Sequence, residues 1–299
     1  MEKNFYHLFS DGADAKNLIT SEEDYKYEFN LFGACKLLSG VDVAAFSIED
    51  SHVHGLLYGT HEECYAFKHY YEDSTIRHII ATRGNKDNVV FELTLDLIDN
   101  PDYLLKAAAY VIVQPTKDGK KVMQYDYLWG TGSMYFRSSN HIPIWQVGND
   151  GRIIETKEFR SLPYRDKKRI VGSHENLIPD SWTVCNGLLL PANYVDVGLY
   201  EDIFRTYNRF RVFSCANKKV QDEVIDRMAQ ARGIMLEDLE ARSLCREICK
   251  SMFHKETARH LSTDQRLILG RALWRRYHMS LRQLSLLCRL PQDEIAKYL

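Results

Sequence analysis

The sequence predicts an α+β protein: a ferredoxin-like antiparallel sheet with helices, followed by an all-α C-terminal helix-turn-helix region. Three observations lead there. The N-terminal third alternates β-rich runs with helical ones, with helices between strand pairs. Residues 218–299 carry helical periodicity throughout. Charge is also unevenly divided. Residues 241–299 hold 12 Lys and Arg against 5 Asp and Glu, a balance of +7, while the first 240 hold 27 against 36, a balance of −9. A basic block on an acidic body is an electrostatic footprint for a polyanion, although a solvated helical face has the same composition.

Taken in order, residues 4–10 form an aromatic-rich strand. Ser21 caps a helix, with Asp24 three residues on, and apolar residues from Phe29 to Leu38 carry it to Gly40. Residues 41–48 and 51–59 are two closely linked strands. Thr60-His61-Glu62-Glu63 is a capping box that opens a second helix. Residues 89–95 are a fourth strand. Pro101 in a first turn opens a third helix, which Pro115 ends. Such an order suits a small sheet covered by helices on one face. From 145 to 215 the pattern weakens. The expected division is 1–145, a connecting extension 146–217, and a helical domain 218–299.

The 299 residues have a mean hydropathy of −0.37 and no apolar run near the roughly 20 residues of a membrane span. The N-terminus has no apolar signal region. Seven scattered cysteines, with Cys245 and Cys249 the closest pair, predict reduced thiols and a cytoplasmic protein.

His52-Val53-His54 carries the chemistry. In a strand, period-two alternation puts both imidazoles on one face of the sheet. Tyr103, Lys106, Tyr110 and Gln114 are spaced three, four and four apart and form one stripe of a helix. Two imidazoles and one amide oxygen suit a divalent cation, Mg²⁺ or Mn²⁺. Tyr110 then stands beside it as a nucleophile, with Lys106 one turn earlier to help the phenol ionise. Taken singly, a His-x-His pair or a helical tyrosine is more often structural.

In combination these residues resemble the single-tyrosine HUH transposases, most nearly the branch associated with repetitive extragenic palindromes. Five ordered blocks carry the likeness: Tyr6-His7-Leu8, Asp24-Tyr25, Ser51 to Leu57, Tyr110 to Pro115, and Tyr127 to Ser133. The resemblance implies a nuclease core acting on single-stranded DNA, often at the foot of a hairpin, as a monomer or a homodimer. It implies His52, His54 and Gln114 as ligands of one Mg²⁺ or Mn²⁺. It further implies Tyr110 as the nucleophile, forming a 5′-phosphotyrosine and freeing a 3′-hydroxyl. The expected setting is the cytoplasm of a prokaryote, at the nucleoid. Gln114 stands where that branch usually has Asn, and Gly130-Thr131 where it has Ser-Ser.

Residues 279–299 resemble a helix-turn-helix, with Leu281, Leu284, Leu287, Leu290 and Ile295 supplying the apolar spacing. Arg282, Gln283, Arg289, Gln292 and Lys297 are its candidate DNA contacts, to duplex flanking the cut. The turn lacks the usual glycine. Alternative readings are a DNA-binding regulator on an inactive nuclease core, and a metal hydrolase that activates water.

Overall fold

The computed structural model describes residues 2–10, 19–84, 91–117, 123–138, 141–148, 150–215, 218–231, 238–277, 279 and 281–298. Four strands, β1 (Asn4–Ser10), β2 (Asp42–Ile48), β3 (Val53–Gly59) and β4 (Leu93–Ile98), form one antiparallel sheet in the order β2-β3-β1-β4. Helix α1 (Glu22–Ser39) joins β1 to β2, α2 (His61–Arg83) joins β3 to β4, and α3 (Pro101–Lys117) follows β4. The α+β class is as expected.

The helix ends follow from local chemistry. Ser21 accepts a hydrogen bond from the Asp24 N–H, and Gly40 closes α1 at φ 79°. Thr60 and Glu63 complete a reciprocal capping box on α2, which Gly84 ends at φ 66°.

Three expectations are corrected. The fourth strand is 93–98, because its pairing with β1 runs from Ser10↔Leu93 to Phe5↔Ile98; Val89 and Val90 lie outside the described residues. Helix α3 passes through Pro115 to Lys117. So near the helix end, a proline that already has helical φ costs little more than one backbone bond. Helices also cover both faces of the sheet. Phe46, Val53 and Leu57 share a core with Phe29 and Phe32 of α1 and Phe67 and Tyr71 of α2, and Phe32 stacks on Phe46 at 4.1 Å. The opposite face, which carries His7 and His54, meets α3.

Residues 146–217 do more than connect. They belong to the first of two compact units, Met1–Asn217, and the second is Lys218–Leu299. A second sheet, β5 (Lys157–Glu158), β6 (Thr183–Cys185) and β7 (Leu188–Leu189), turns tightly through Asn186 and Gly187, both at positive φ. Asn30 of α1 anchors it. The Asn30 side-chain N–H₂ donates to the carbonyls of Gly187 (2.9 Å) and Ile170 (3.1 Å), and its oxygen accepts from the Leu189 N–H (2.7 Å). Trp182, Leu189 and Tyr194 enter the α1 core. Helices α4 (Tyr164–Val171), α5 (Val197–Phe204) and α6 (Tyr207–Ser214) complete this unit, the last two packing on α3.

The second unit is helical: α7 (Lys218–Ala231), α8 (Asp238–Phe253), α9 (Thr263–Tyr277), α10 (Leu281–Cys288) and α11 (Gln292–Tyr298). Its core includes Ile248, Cys249, Leu269, Leu273, Leu284, Cys288 and Ile295. All seven cysteines are free thiols. Among the described residues no helix is long and apolar enough to cross a membrane.

Glu28 sits fully buried between α1 and α2, accepting a hydrogen bond from the Thr75 hydroxyl at 2.9 Å. Burial pushes its carboxyl up to about 7, against the hydrogen bonds of Tyr71 and Thr75 and the charge of Arg83; nearby Asp24 adds to the rise. A carboxyl raised on folding binds extra protons in the folded state. Its effect is therefore neutral below the unfolded value near 4.5 and increasingly destabilising as pH climbs to about 7. The shift is worth on the order of 3 kcal/mol. Glu28→Gln should be the more stable protein at about pH 8, with a flatter dependence of denaturation midpoint on pH; an unaltered slope would refute the assignment.

Candidate active site

The site grows from the pairing of β1 with β3. Phe9 lies opposite His54 and His7 opposite Leu56, so His7, Phe9, His54 and Leu56 point to the same side. On β2, Ser47 lies opposite His54, and on β4, Asp96 lies opposite His7. Tyr110 of α3 closes over this face. Its ring meets His54 edge-on at 5.5 Å and His7 at 6.2 Å, while His7 and His54 stack at 5.6 Å. The His52 and His54 rings are nearly parallel, with centroids 6.1 Å apart.

These groups differ in access. His54, His7 and Tyr110 are buried, Tyr110 at 6 % exposure, and His52 is partly exposed. His52 Nδ1 lies 2.8 Å from the Ser51 hydroxyl, which orients the ring. The turn that carries it is tied twice: the Glu49 N–H donates to the His52 carbonyl at 2.7 Å, and the Ile19 N–H to Asp50 at 3.3 Å. Tyr25, stacked on Trp129 at 4.8 Å, donates to the Asp50 carboxylate; burial and that carboxylate hold its phenol far above the usual range.

The segment of Trp129 to Thr131 runs along the edge of β2. The Ile48 N–H donates to Trp129 O (2.9 Å) and the Thr131 N–H to Phe46 O (3.0 Å). A bulge in β2 between Val43 and Ala45 leaves the Ala44 carbonyl for the Tyr135 hydroxyl, at 2.6 Å. Tyr135 stacks on Tyr200 of α5 at 3.8 Å, and the Tyr200 hydroxyl donates to Ala108 O of α3 at 2.9 Å. Gly132 sits against Ile112 of α3, where a Cβ would come within 3.0 Å.

Gln114 lies on the C-terminal turn of α3, one turn beyond Tyr110 and 7 % exposed. Its side-chain oxygen and the Ser47 hydroxyl are buried and have no hydrogen-bond partner among the described residues. Lys106, one turn before Tyr110, is half-buried. Of the predicted site residues, His52, His54 and Tyr110 thus come together directly, and Gln114 and Lys106 flank them on α3. No group of three or more His, Cys, Asp and Glu side chains suited to a metal occurs among the described residues; the candidate donors are two imidazoles and an amide. Sequence reasoning missed His7, Ser47 and Asp96. Period two marks His7 for one face of β1, but only the β1–β3 register identifies that face as the one under Tyr110.

In the second unit Arg282, Arg289, Gln292 and Lys297 are exposed, whereas Gln283 is buried at 9 % exposure and so is poorly placed to meet a base edge. No family model, no curated protein and no solved structure matches the chain.

A buried acceptor without a donor costs stability. Gln114→Met keeps the volume and removes that oxygen. In a chelating buffer it should raise thermal stability by about 1 kcal/mol; a loss of stability would mean that the amide carries a structural bond.

Proposed function

We propose that the first unit is a metal-dependent single-stranded DNA endonuclease and strand transferase of the HUH class, working at or near hairpin DNA. The observation that carries this reading is Tyr110 packed edge-on against His54 beneath α3, with the His52 ring 6.1 Å from that of His54. The strand order β4-β1-β3-β2 in a βαββαβ chain supports a ferredoxin-like core beneath it.

In this reading His52, His54 and the Gln114 oxygen would hold one Mg²⁺ or Mn²⁺, and a buried Gln114 oxygen with no hydrogen-bond partner among the described residues fits that role. When bound, the cation supplies Lewis acidity toward a phosphate oxygen. The Tyr110 phenol oxygen attacks phosphorus, the P–O3′ bond breaks, and the phenolic proton leaves to solvent or to the departing 3′-oxygen. The products are a 5′-phosphotyrosine and a free 3′-hydroxyl, with no other reactant consumed. Lys106 lowers the cost of the developing phenolate from one turn away. Ser51 orients His52, and Asp96 stands where it can orient His7. In the second unit, Arg282, Arg289, Gln292 and Lys297 contact flanking duplex.

One observation favours the second reading, a DNA-binding regulator on an inactive core: Tyr110 is buried, so a strand reaches it only if α3 or its cover moves. Labelled single-stranded DNA, including hairpins, with Mn²⁺ or Mg²⁺ and analysed on denaturing protein gels, separates the two. The transferase gives a covalent band that requires the metal and that Tyr110→Phe lowers by on the order of 10⁴-fold or more. DNA binding with no band under any metal would leave the regulator. DNA cleavage that survives Tyr110→Phe would mean hydrolysis by activated water.

A further inference from the structure

The second unit contains a groove of about 670 Å³ between α8, the short turn Ala258–His260 and the C-terminal end of α10. Arg242, Arg246, Arg259, His260 and Arg289 line it, and no lining residue is acidic. All five are exposed. Arg242 and Arg246 are four apart on α8 and share a face. The turn that bears Arg259 and His260 is pinned by Arg266, whose guanidinium donates to Ala258 O (3.1 Å), Leu261 O (3.1 Å) and Arg259 O (3.3 Å). Arg266 is thereby used up on the backbone, and the Arg259 side chain is left for the groove.

Arg289 is the informative member. Helix α10 ends in a Schellman-type turn: the Leu290 N–H donates to Ser285 O at 3.3 Å, and the Ser285 hydroxyl donates to Leu290 O at 2.7 Å. The left-handed residue of that turn is Arg289, at φ 57°, where glycine would sit without strain. At this left-handed position the arginine keeps its side chain on the groove wall. Cations ringing a groove without carboxylates repel one another until an anion enters. The groove's size exceeds a single phosphate, and Leu286, 65 % exposed on its wall, offers an apolar contact suited to deoxyribose.

We infer that this groove holds the phosphate backbone of duplex DNA, with Arg242, Arg246, Arg259 and Arg289 as its ligands. The inference rests on the DNA reading above and adds the place where backbone is gripped.

The test is equilibrium binding of the full chain to random-sequence duplex DNA, followed by fluorescence anisotropy over a salt series with a chelator present, so that cleavage chemistry does not enter. Arg246→Ala and Arg289→Gly should each lower the slope of log affinity against log salt by about 1, and lower affinity about eightfold near 0.1 M salt. Arg289→Gly should also melt about 2–4 °C higher, since it relieves the turn. Arg152→Ala, an exposed arginine of the first unit, should leave the slope unchanged. The inference is overturned if the groove variants keep the wild-type slope while Arg282→Ala and Lys297→Ala lose it. It is equally overturned if polyglutamate of matched charge competes as well as DNA. Failure of the covalent-band experiment with these slopes intact would remove the strand-transfer reading alone.

Discussion

The pairing of β1 with β3 is the constraint on which the candidate site depends. With Phe9 opposite His54, alternation along β3 sends Val53 and Leu57 into the α1–α2 core and turns His54 beneath α3. A slip of one residue would exchange the two sets, placing imidazoles in an apolar core and valine under the tyrosine. The cost of that error is the burial of unpaired ring nitrogens on one side and the loss of packed methyls on the other. The chemistry of the site and the stability of the core are therefore specified by the same register.

Two tyrosines then hold the cover in place. Tyr135 satisfies the carbonyl freed by the β2 bulge, Tyr200 reaches the backbone of α3, and the two rings stack. Each is buried, so each hydroxyl needs its partner. Through them the irregularity in β2, the helix that bears Tyr110 and the α5 helix act as one packed assembly. Gly132 serves the same end: a Cβ there would come within 2.4 Å of Gln124 O and would push on Ile112. The same helix, α3, holds Tyr110 buried against the sheet.

Much of this was legible in the sequence, and the rest was not for identifiable reasons. Capping chemistry at Ser21 and Thr60 marked two helix starts to within a residue, because those signals are local. His54 and Tyr110 were legible as a strand residue and a helix residue; His52 was expected in the same strand but precedes it, since β3 begins at Val53. His7 was not legible, since its role depends on a pairing partner some fifty residues away. Pro115 misled because a breaker is decisive in a helix interior and weak in a last turn. The Asn186-Gly187 pair is a strong hairpin signal that lay unused in a stretch with no periodicity around it. Gln283 looked like a surface polar residue, and its burial is set by how α10 packs on α8 and α9, which no spacing rule encodes.

Asn30 has a consequence for how the chain comes into being. One amide on the first helix satisfies backbone groups at Ile170, Gly187 and Leu189, about 140 to 159 positions downstream. Until the ribosome has released that stretch, Asn30 sits on an apolar helix face without its partners. At about 5–20 residues per second the wait is roughly 7 to 30 s. Together with Trp182, Leu189 and Tyr194, which pack into the same core, Asn30 gives the α1 region contacts of long sequence separation. The last contacts of α1 to form are thus those that its sequence neighbours cannot supply.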